Sequence, residues 1–190
     1  MRPRQTLPEL GPKLWLVSDE RNDRVLETAL TTPHGPIGFI YRHYHLPPEA
    51  RMRRFLELRR LARKHGHLVI LADSAMTALE WGADGIYGAA RALFPRRAGL
   101  LRFATAHSLR EIGDANRLGA DAVLLSPVFP TRSHPGARTL GPLRFRLLAA
   151  HAAMPVIALG GMDHALAKRL DWRRWAAVDG LSTGYPHPDS

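Results

Sequence analysis

Eleven residues, SPVFPTRSHPG from Ser126 to Gly136, set the hydroxyls of Ser126, Thr131 and Ser133 among prolines at 127, 130 and 135. Each proline fixes φ and removes a backbone donor, so the stretch is built to hold a shape. Hydroxyls held in that way suit an anion-binding loop, or equally a well-ordered surface turn. Other residues carry chemistry of the same kind. The Arg42 guanidinium can clamp a phosphate through paired hydrogen bonds or stand as a surface charge. Asp73 can bind Mg²⁺ together with substrate phosphates, or cap the helix that DSAMTALEWG implies. Thr105 and His107 form a further polar pair. Gly160 and Gly161 permit close approach of backbone N–H groups to a ligand, with Ser182 and Thr183 placed to join them. His43 and His45 would share a face on an extended segment, but no third metal ligand lies near them in the sequence.

These residues acquire a common location once the elements between them are read. Short apolar runs at 13–18, 36–42, 67–72, 85–88, 100–105, 122–126, 155–160 and 178–183 alternate with helical patterns, as expected of parallel strands joined by crossover helices. PPEARMRRFLELRRLARKHG carries Met52, Phe55, Leu56, Leu58 and Leu61 on one broad face and ends at Gly66. SLREIGDANRLGA opens with Ser108 as N-cap and Glu111 three residues on, a capping box. WGADGIYG, LGADAVLLS and WAAVDGLST repeat a small residue and an Asp ahead of a strand, so Asp84, Asp121 and Asp179 read as structural. The expectation is a single-domain (β/α)₈ TIM barrel over residues 1–190, with a doubly wound sheet as the other architecture. The tail GYPHPDS leaves room only for a shortened last helix. In such a barrel the loops after the carboxyl ends of the strands build the site, and the hydroxyls, Arg42, Asp73, His107 and the paired glycines named at the outset all end or follow a strand.

Composition narrows the function. The chain has 190 residues, 45% of them hydrophobic, enough for one core. It has no cysteine, which excludes disulfides, thiolate nucleophiles and Cys-ligated metals. No apolar run approaches a membrane span, and MRPRQTLPELGPK lacks the apolar core of a leader, so a cytoplasmic protein that does not engage membranes is expected. The net charge of +10 is spread along the chain as arginine without aromatic interleaving or a nucleic-acid-binding motif. Small polyanionic substrates fit that pattern better than nucleic acid. Trp172 and Trp175 read as helix packing, and self-association is left open.

KLWLVSDE, GADGIYG, FATAHS, GADAVLLSPVFPTRSHPG, PVIALGGM and VDGLST, in that order, resemble the thiamine phosphate synthase family and its thiazole tautomerase (TenI-like) relatives over nearly the whole chain. The resemblance implies a (β/α)₈ barrel that joins a pyrimidine methyl pyrophosphate to a thiazole phosphate, releasing pyrophosphate with the help of Mg²⁺. Its partners would be those two small phosphorylated substrates. Arg42 matches the family's pyrophosphate-binding Arg, Asp73 the Mg²⁺-binding Asp of its Asn-Asp-Arg motif, and Thr105 the hydroxyl of its Ser-x-His segment. Thr131 and Ser133 match hydroxyls that hold phosphate groups at the reaction centre. Gly161, with Gly160 and the Ser182–Thr183 region, matches the thiazole phosphate cradle. Arg42, Ser133 and His134 are thereby the catalytic candidates, His134 standing where the family has Lys.

Departures accompany the match. The family's Gln-Leu-Arg-Glu-Lys reads IYRHY here, which puts Tyr44 in place of the Lys. Ala72 replaces the Asn before Asp73, and YGAARA replaces a segment that carries the second Mg²⁺-binding Asp. A TenI-like tautomerase, or a phosphate-ligand-binding barrel without synthase activity, is the alternative that these losses favour.

Overall fold

The computed structural model describes residues 11–32, 35–132, 136 and 138–178. Eight parallel strands close into a barrel in sequence order: β1 Leu14–Val17, β2 Gly38–Tyr41, β3 Leu68–Leu71, β4 Gly85–Ala89, β5 Leu101–Ala106, β6 Ala122–Leu125, β7 Val156–Ala158 and β8 Trp175–Ala177. Around them lie α1 Leu26–Thr31, α2 Pro48–Lys64, α3 Ala75–Trp81, α4 Leu109–Leu118, α5 Gly141–Ala149 and α6 His164–Leu170. The connection from β4 to β5 holds a 3₁₀ turn, Ala90–Leu93, in place of a full helix. The barrel is the architecture expected from the sequence, and the doubly wound alternative falls with the closure of β1 on β8.

The strands alternate between two cores. Trp15, Val17, Ile40, Ile70, Phe103 and Leu124 are among those filling the barrel interior, while Leu16, Phe39, Tyr41 and Leu71 face the helices. Trp15 reaches across the interior to Phe103, ring centres 4.7 Å apart. Gly38 makes that possible, because a Cβ at this position would lie 2.1 Å from the indole. Asp84 and Asp121 act as expected, their carboxylates accepting the Val69 amide at 2.8 Å and the Arg102 amide at 2.9 Å. Ser108 caps α4 by accepting the Glu111 amide, and the Glu111 carboxylate reaches back to the Ser108 hydroxyl and the His107 amide.

The eighth strand differs from the sequence expectation. Leu14 and Leu16 pair with Trp175 and Ala177, so the strand that closes the barrel lies ahead of the run at 178–183. Two alanines gave WAA little strand propensity, and VDGLST looked the better strand. The amide of Trp175 instead donates to the Lys13 carbonyl at 3.0 Å, which sets the register. Trp175 is therefore a buried strand residue, and its side chain still packs toward a helix, its ring 6.4 Å from that of His164 in α6. Trp172 does pack on a helix, edge-on to Phe145 in α5, with its indole N–H bonded to the Val156 carbonyl. Asp179, Ser182, Thr183 and the shortened last helix lie outside the described residues, as do Ser133 and His134.

Candidate active site

Arg42 stands directly after β2, and two residues that follow β1 hold it. Its Nε donates to the Ser18 carbonyl at 3.1 Å and its Nη2 to Asp19 Oδ2 at 2.9 Å, while its amide donates to Ser18 Oγ at 2.7 Å. Burial alone would raise the Asp19 carboxyl, but the bonds from Arg21 and the charge of Arg42 hold it below its ordinary range. Tyr87 of β4 lies against the same guanidinium; burial raises its phenol, and Arg42 pulls the other way. The result is a preset guanidinium at the carboxyl rim of the barrel.

Asp73, after β3, is engaged on both oxygens. Oδ1 accepts the Ser74 amide at 2.7 Å, and Oδ2 pairs with Nη1 of Arg51. Arg51 also donates from Nε to the Arg42 carbonyl at 2.8 Å and from Nη2 to the Ala72 carbonyl at 3.0 Å, so one side chain ties the ends of β2 and β3 together. Ser74, not Asp73, caps α3, its hydroxyl accepting the Thr77 amide. Among the described residues no group of three His, Asp or Glu side chains could hold a metal. Among the described residues, Mg²⁺ at Asp73 would meet a single carboxylate that is already in an ion pair, and those residues do not make up a metal site.

His43 and His45 do not share an extended face. His43 turns back with a φ of +41° and is only 1% exposed, its ring stacked on Tyr41 at 4.7 Å. Its nitrogens meet Ser18 Oγ at 2.8 Å and Asp23 Oδ1 at 2.7 Å.

The described ends of the loop after β6 are pinned by backbone bonds. The Val128 and Phe129 amides donate to the Leu159 and Gly160 carbonyls, and Leu140 and Gly141 bond back to Pro127 and Val128. Gly160 and Gly161 have φ of +94° and +62°, and a Cβ on them would sit 2.6 Å from Pro127 Cα and 2.3 Å from the Pro130 carbonyl oxygen. The paired glycines thus serve as the bed on which this loop lies. Thr131, half-buried, follows directly. Thr105, next to last in β5, lines a cleft of about 350 Å³ together with Arg91, Ser108 and Arg110 among others. His107 Nδ1 lies 2.8 Å from the Ser126 carbonyl, joining the ends of β5 and β6.

Comparison with known proteins decides the family. The family model described as thiamine monophosphate synthase matches residues 14–178. The chain belongs to the thiamine monophosphate synthase family. It is 31% identical over 185 residues to a thiamine-phosphate synthase of Chloroflexus aurantiacus, covering 90% of this chain and 82% of that protein. It is 26% identical to the thiamine biosynthesis bifunctional protein ThiED of Geobacter sulfurreducens, covering 93% of this chain and 37% of that longer protein. The fold matches thiamine phosphate pyrophosphorylase from Pyrococcus furiosus with a TM-score of 0.74 at 24% identity, over 90% of this chain and 88% of that one.

Within this thiamine monophosphate synthase family barrel, Arg42, Thr105, Thr131, Gly160 and Gly161 all follow or end strands at the carboxyl rim. Tyr44, in place of the Lys, is exposed with its ring 5.4 Å from the Arg51 guanidinium. Ser18, Asp19, Asp23 and Arg51 escaped the sequence reading. For Arg51 a signal existed: a cation in the first turn of α2 opposes the helix dipole and calls for a carboxylate partner.

Proposed function

We propose that the protein is a thiamine phosphate synthase-type transferase acting on a pyrimidine methyl pyrophosphate and a thiazole phosphate. The bond from the pyrimidine methylene to the pyrophosphate oxygen breaks, the electron pair leaves with pyrophosphate, and the thiazole nitrogen forms the new bond to the methylene. What the protein must supply is compensation for charge on the leaving group, and a fixed guanidinium is suited to it. The observation that carries this reading is Arg42, anchored by Ser18 and Asp19 at the rim shared with Thr105 and the proline-locked loop. Fixing the cation beforehand removes the reorganisation that a free side chain would need during bond breaking.

In this reading Thr105, Thr131 and Ser133 bind phosphate oxygens, His134 adds a cation when protonated, and backbone amides near Gly161, Ser182 and Thr183 hold the thiazole phosphate. Thiamine phosphate synthases are Mg²⁺-dependent in general, but because the described residues do not form a metal site, no step is assigned to the ion. Among the described residues no helix is long and apolar enough to cross a membrane. Purified protein given both substrates, with and without Mg²⁺, tests the proposal. Thiamine phosphate above a no-protein control supports it. Tight binding of the thiazole phosphate with no coupled product would sink it in favour of the tautomerase-like alternative.

A further inference from the structure

The residue after Arg42 is buried, holds a left-handed backbone that non-glycine residues adopt at some cost, and has both ring nitrogens engaged. Chemistry fixes the direction of every hydrogen in this chain of contacts. Asp23 already accepts Arg54 Nε on Oδ1 at 2.8 Å, so it is an ionised acceptor with a permanent cation of its own. His43 Nε2 must then carry the hydrogen it shares with Asp23. A neutral imidazole leaves Nδ1 bare, and Nδ1 accepts the Ser18 hydroxyl. Ser18 Oγ in turn accepts the Arg42 amide at 2.7 Å, while the Ser18 carbonyl accepts Arg42 Nε. In that form each donor has an acceptor. A proton on Nδ1 reverses that contact, so that Ser18 Oγ must accept from both Nδ1 and the Arg42 amide, and among the described residues no other acceptor bonds the hydrogen of the fully buried Ser18 hydroxyl.

We propose that His43 is a positioning residue for Arg42: its neutral form, hydrogen on Nε2, locks Ser18 against Arg42, and its protonation releases that lock and weakens the grip of Arg42 on anionic phosphate. The proposal rests on the reading of Arg42 as the pyrophosphate clamp. The charged and titratable groups around the ring are Asp23 on the 3₁₀ turn after β1, Arg54 on α2, Arg42 itself, and His45 with its ring centre 5.0 Å away; Tyr41 stacks on one face. Burial lowers the pKa of His43 by more than the Asp23 carboxylate raises it, so the neutral ring is the resting form.

The test is calorimetric titration of inorganic pyrophosphate into the full chain between pH 8 and pH 5.5, for the wild type, His43→Asn and His45→Gln. Asparagine tolerates the left-handed backbone, offers Ser18 an acceptor and does not titrate. Pyrophosphate's own protonation cancels in the ratio of wild-type to His43→Asn affinity at each pH. That ratio should fall on the order of five-fold across the range, as expected for one lost hydrogen bond. His45→Gln should keep the wild-type profile. A ratio independent of pH, or loss of the pH dependence in His45→Gln, overturns the proposal. Absence of pyrophosphate binding at pH 8 overturns the transferase reading instead. In that event, or if His43→Asn does not fold, ring nitrogen shifts of His43 and exchange of the Arg42 amide in the wild type decide. A hydrogen on Nε2 near pH 7.5, with Arg42 protection lost as Nδ1 is protonated, supports the lock. Protection that is indifferent to that protonation refutes it.

Discussion

Arg51 reaches from the first turn of α2 to the Asp73 carboxylate after β3, and its Nε closes on the Arg42 carbonyl after β2. One guanidinium therefore sets the spacing of two candidate site residues. Arg51→Ala should destabilise the fold by about 1–3 kcal/mol, the range for a multiply bonded cation, reduced because Asp73 is partly exposed. Arg51→Lys should recover little, since an ammonium does not span three acceptors. Urea unfolding midpoints at pH 7.5 check both, and a wild-type midpoint in Arg51→Ala would contradict the linkage.

Arg42→Gln removes the cation while keeping a donor near Ser18. A loss in kcat/KM on the order of 10²-fold is expected, the scale seen when one preset donor to a developing anion is removed. Arg42→Lys should not restore it, because its ammonium cannot reproduce both the Ser18 and Asp19 bonds. Steady-state kinetics with varied pyrimidine pyrophosphate measures the effect, and unchanged kcat/KM in both variants would remove Arg42 from the site.

Gly160→Ala and Gly161→Ala drive a Cβ into the backbone of the loop after β6, whereas Gly136→Ala, at φ +77°, meets nothing within 4 Å. All three carry backbone strain, so the difference between them isolates the collision. The first two should cost roughly 2 kcal/mol or more beyond Gly136→Ala. Thermal unfolding of the three variants ranks them, and equal costs would mean that the loop does not rest on these glycines.

Stability should fall in two stages on acidification. Burial depresses the His43 pKa below its ordinary 6.5, so the unfolded chain takes up that proton first and stability declines as pH drops below about 6.5. Asp23 and Asp73 would each be raised by burial, but hydrogen bonds from His43 and Arg54, and from Arg51 and Ser74, lower them below 3.8. Their contribution is complete above about pH 4 and is lost as pH falls through the folded values. Denaturant titrations at pH 8, 5 and 3 should show both losses, with His43→Asn lacking the first.

The alternation of strands and helices was legible because each element carries its own period, and seven of the eight strands overlap the apolar runs that marked them. The eighth was not, since WAA owes its strand state to pairing with Leu14 and Leu16 rather than to propensity. The barrel rule brought Arg42, Asp73 and Thr105 to one rim without knowledge of any contact. What positions them was hidden for a physical reason: Ser18 and Arg42 are 24 residues apart, and Arg51 and Asp73 are 22 apart. Closure of neighbouring strands makes those pairs, and local sequence carries no record of it. Asp73 and Ser74 illustrate a finer limit, where either residue could have capped α3, and the Thr77 amide bond to Ser74 together with the Arg51 pairing to Asp73 separates their roles.

The tryptophan that plugs the barrel restricts how this sequence can drift. With the indole of Trp15 where a Cβ of residue 38 would lie, neither position is free to vary by itself. A side chain acquired first at Gly38 collides at 2.1 Å, far inside van der Waals contact, whereas a smaller residue acquired first at Trp15 opens a void around which the neighbours can partly relax. Mutational paths away from this core therefore have an order, with position 15 shrinking before position 38 grows. A pairwise library at the two sites, selected for soluble protein, should recover large residues at 38 only alongside small ones at 15.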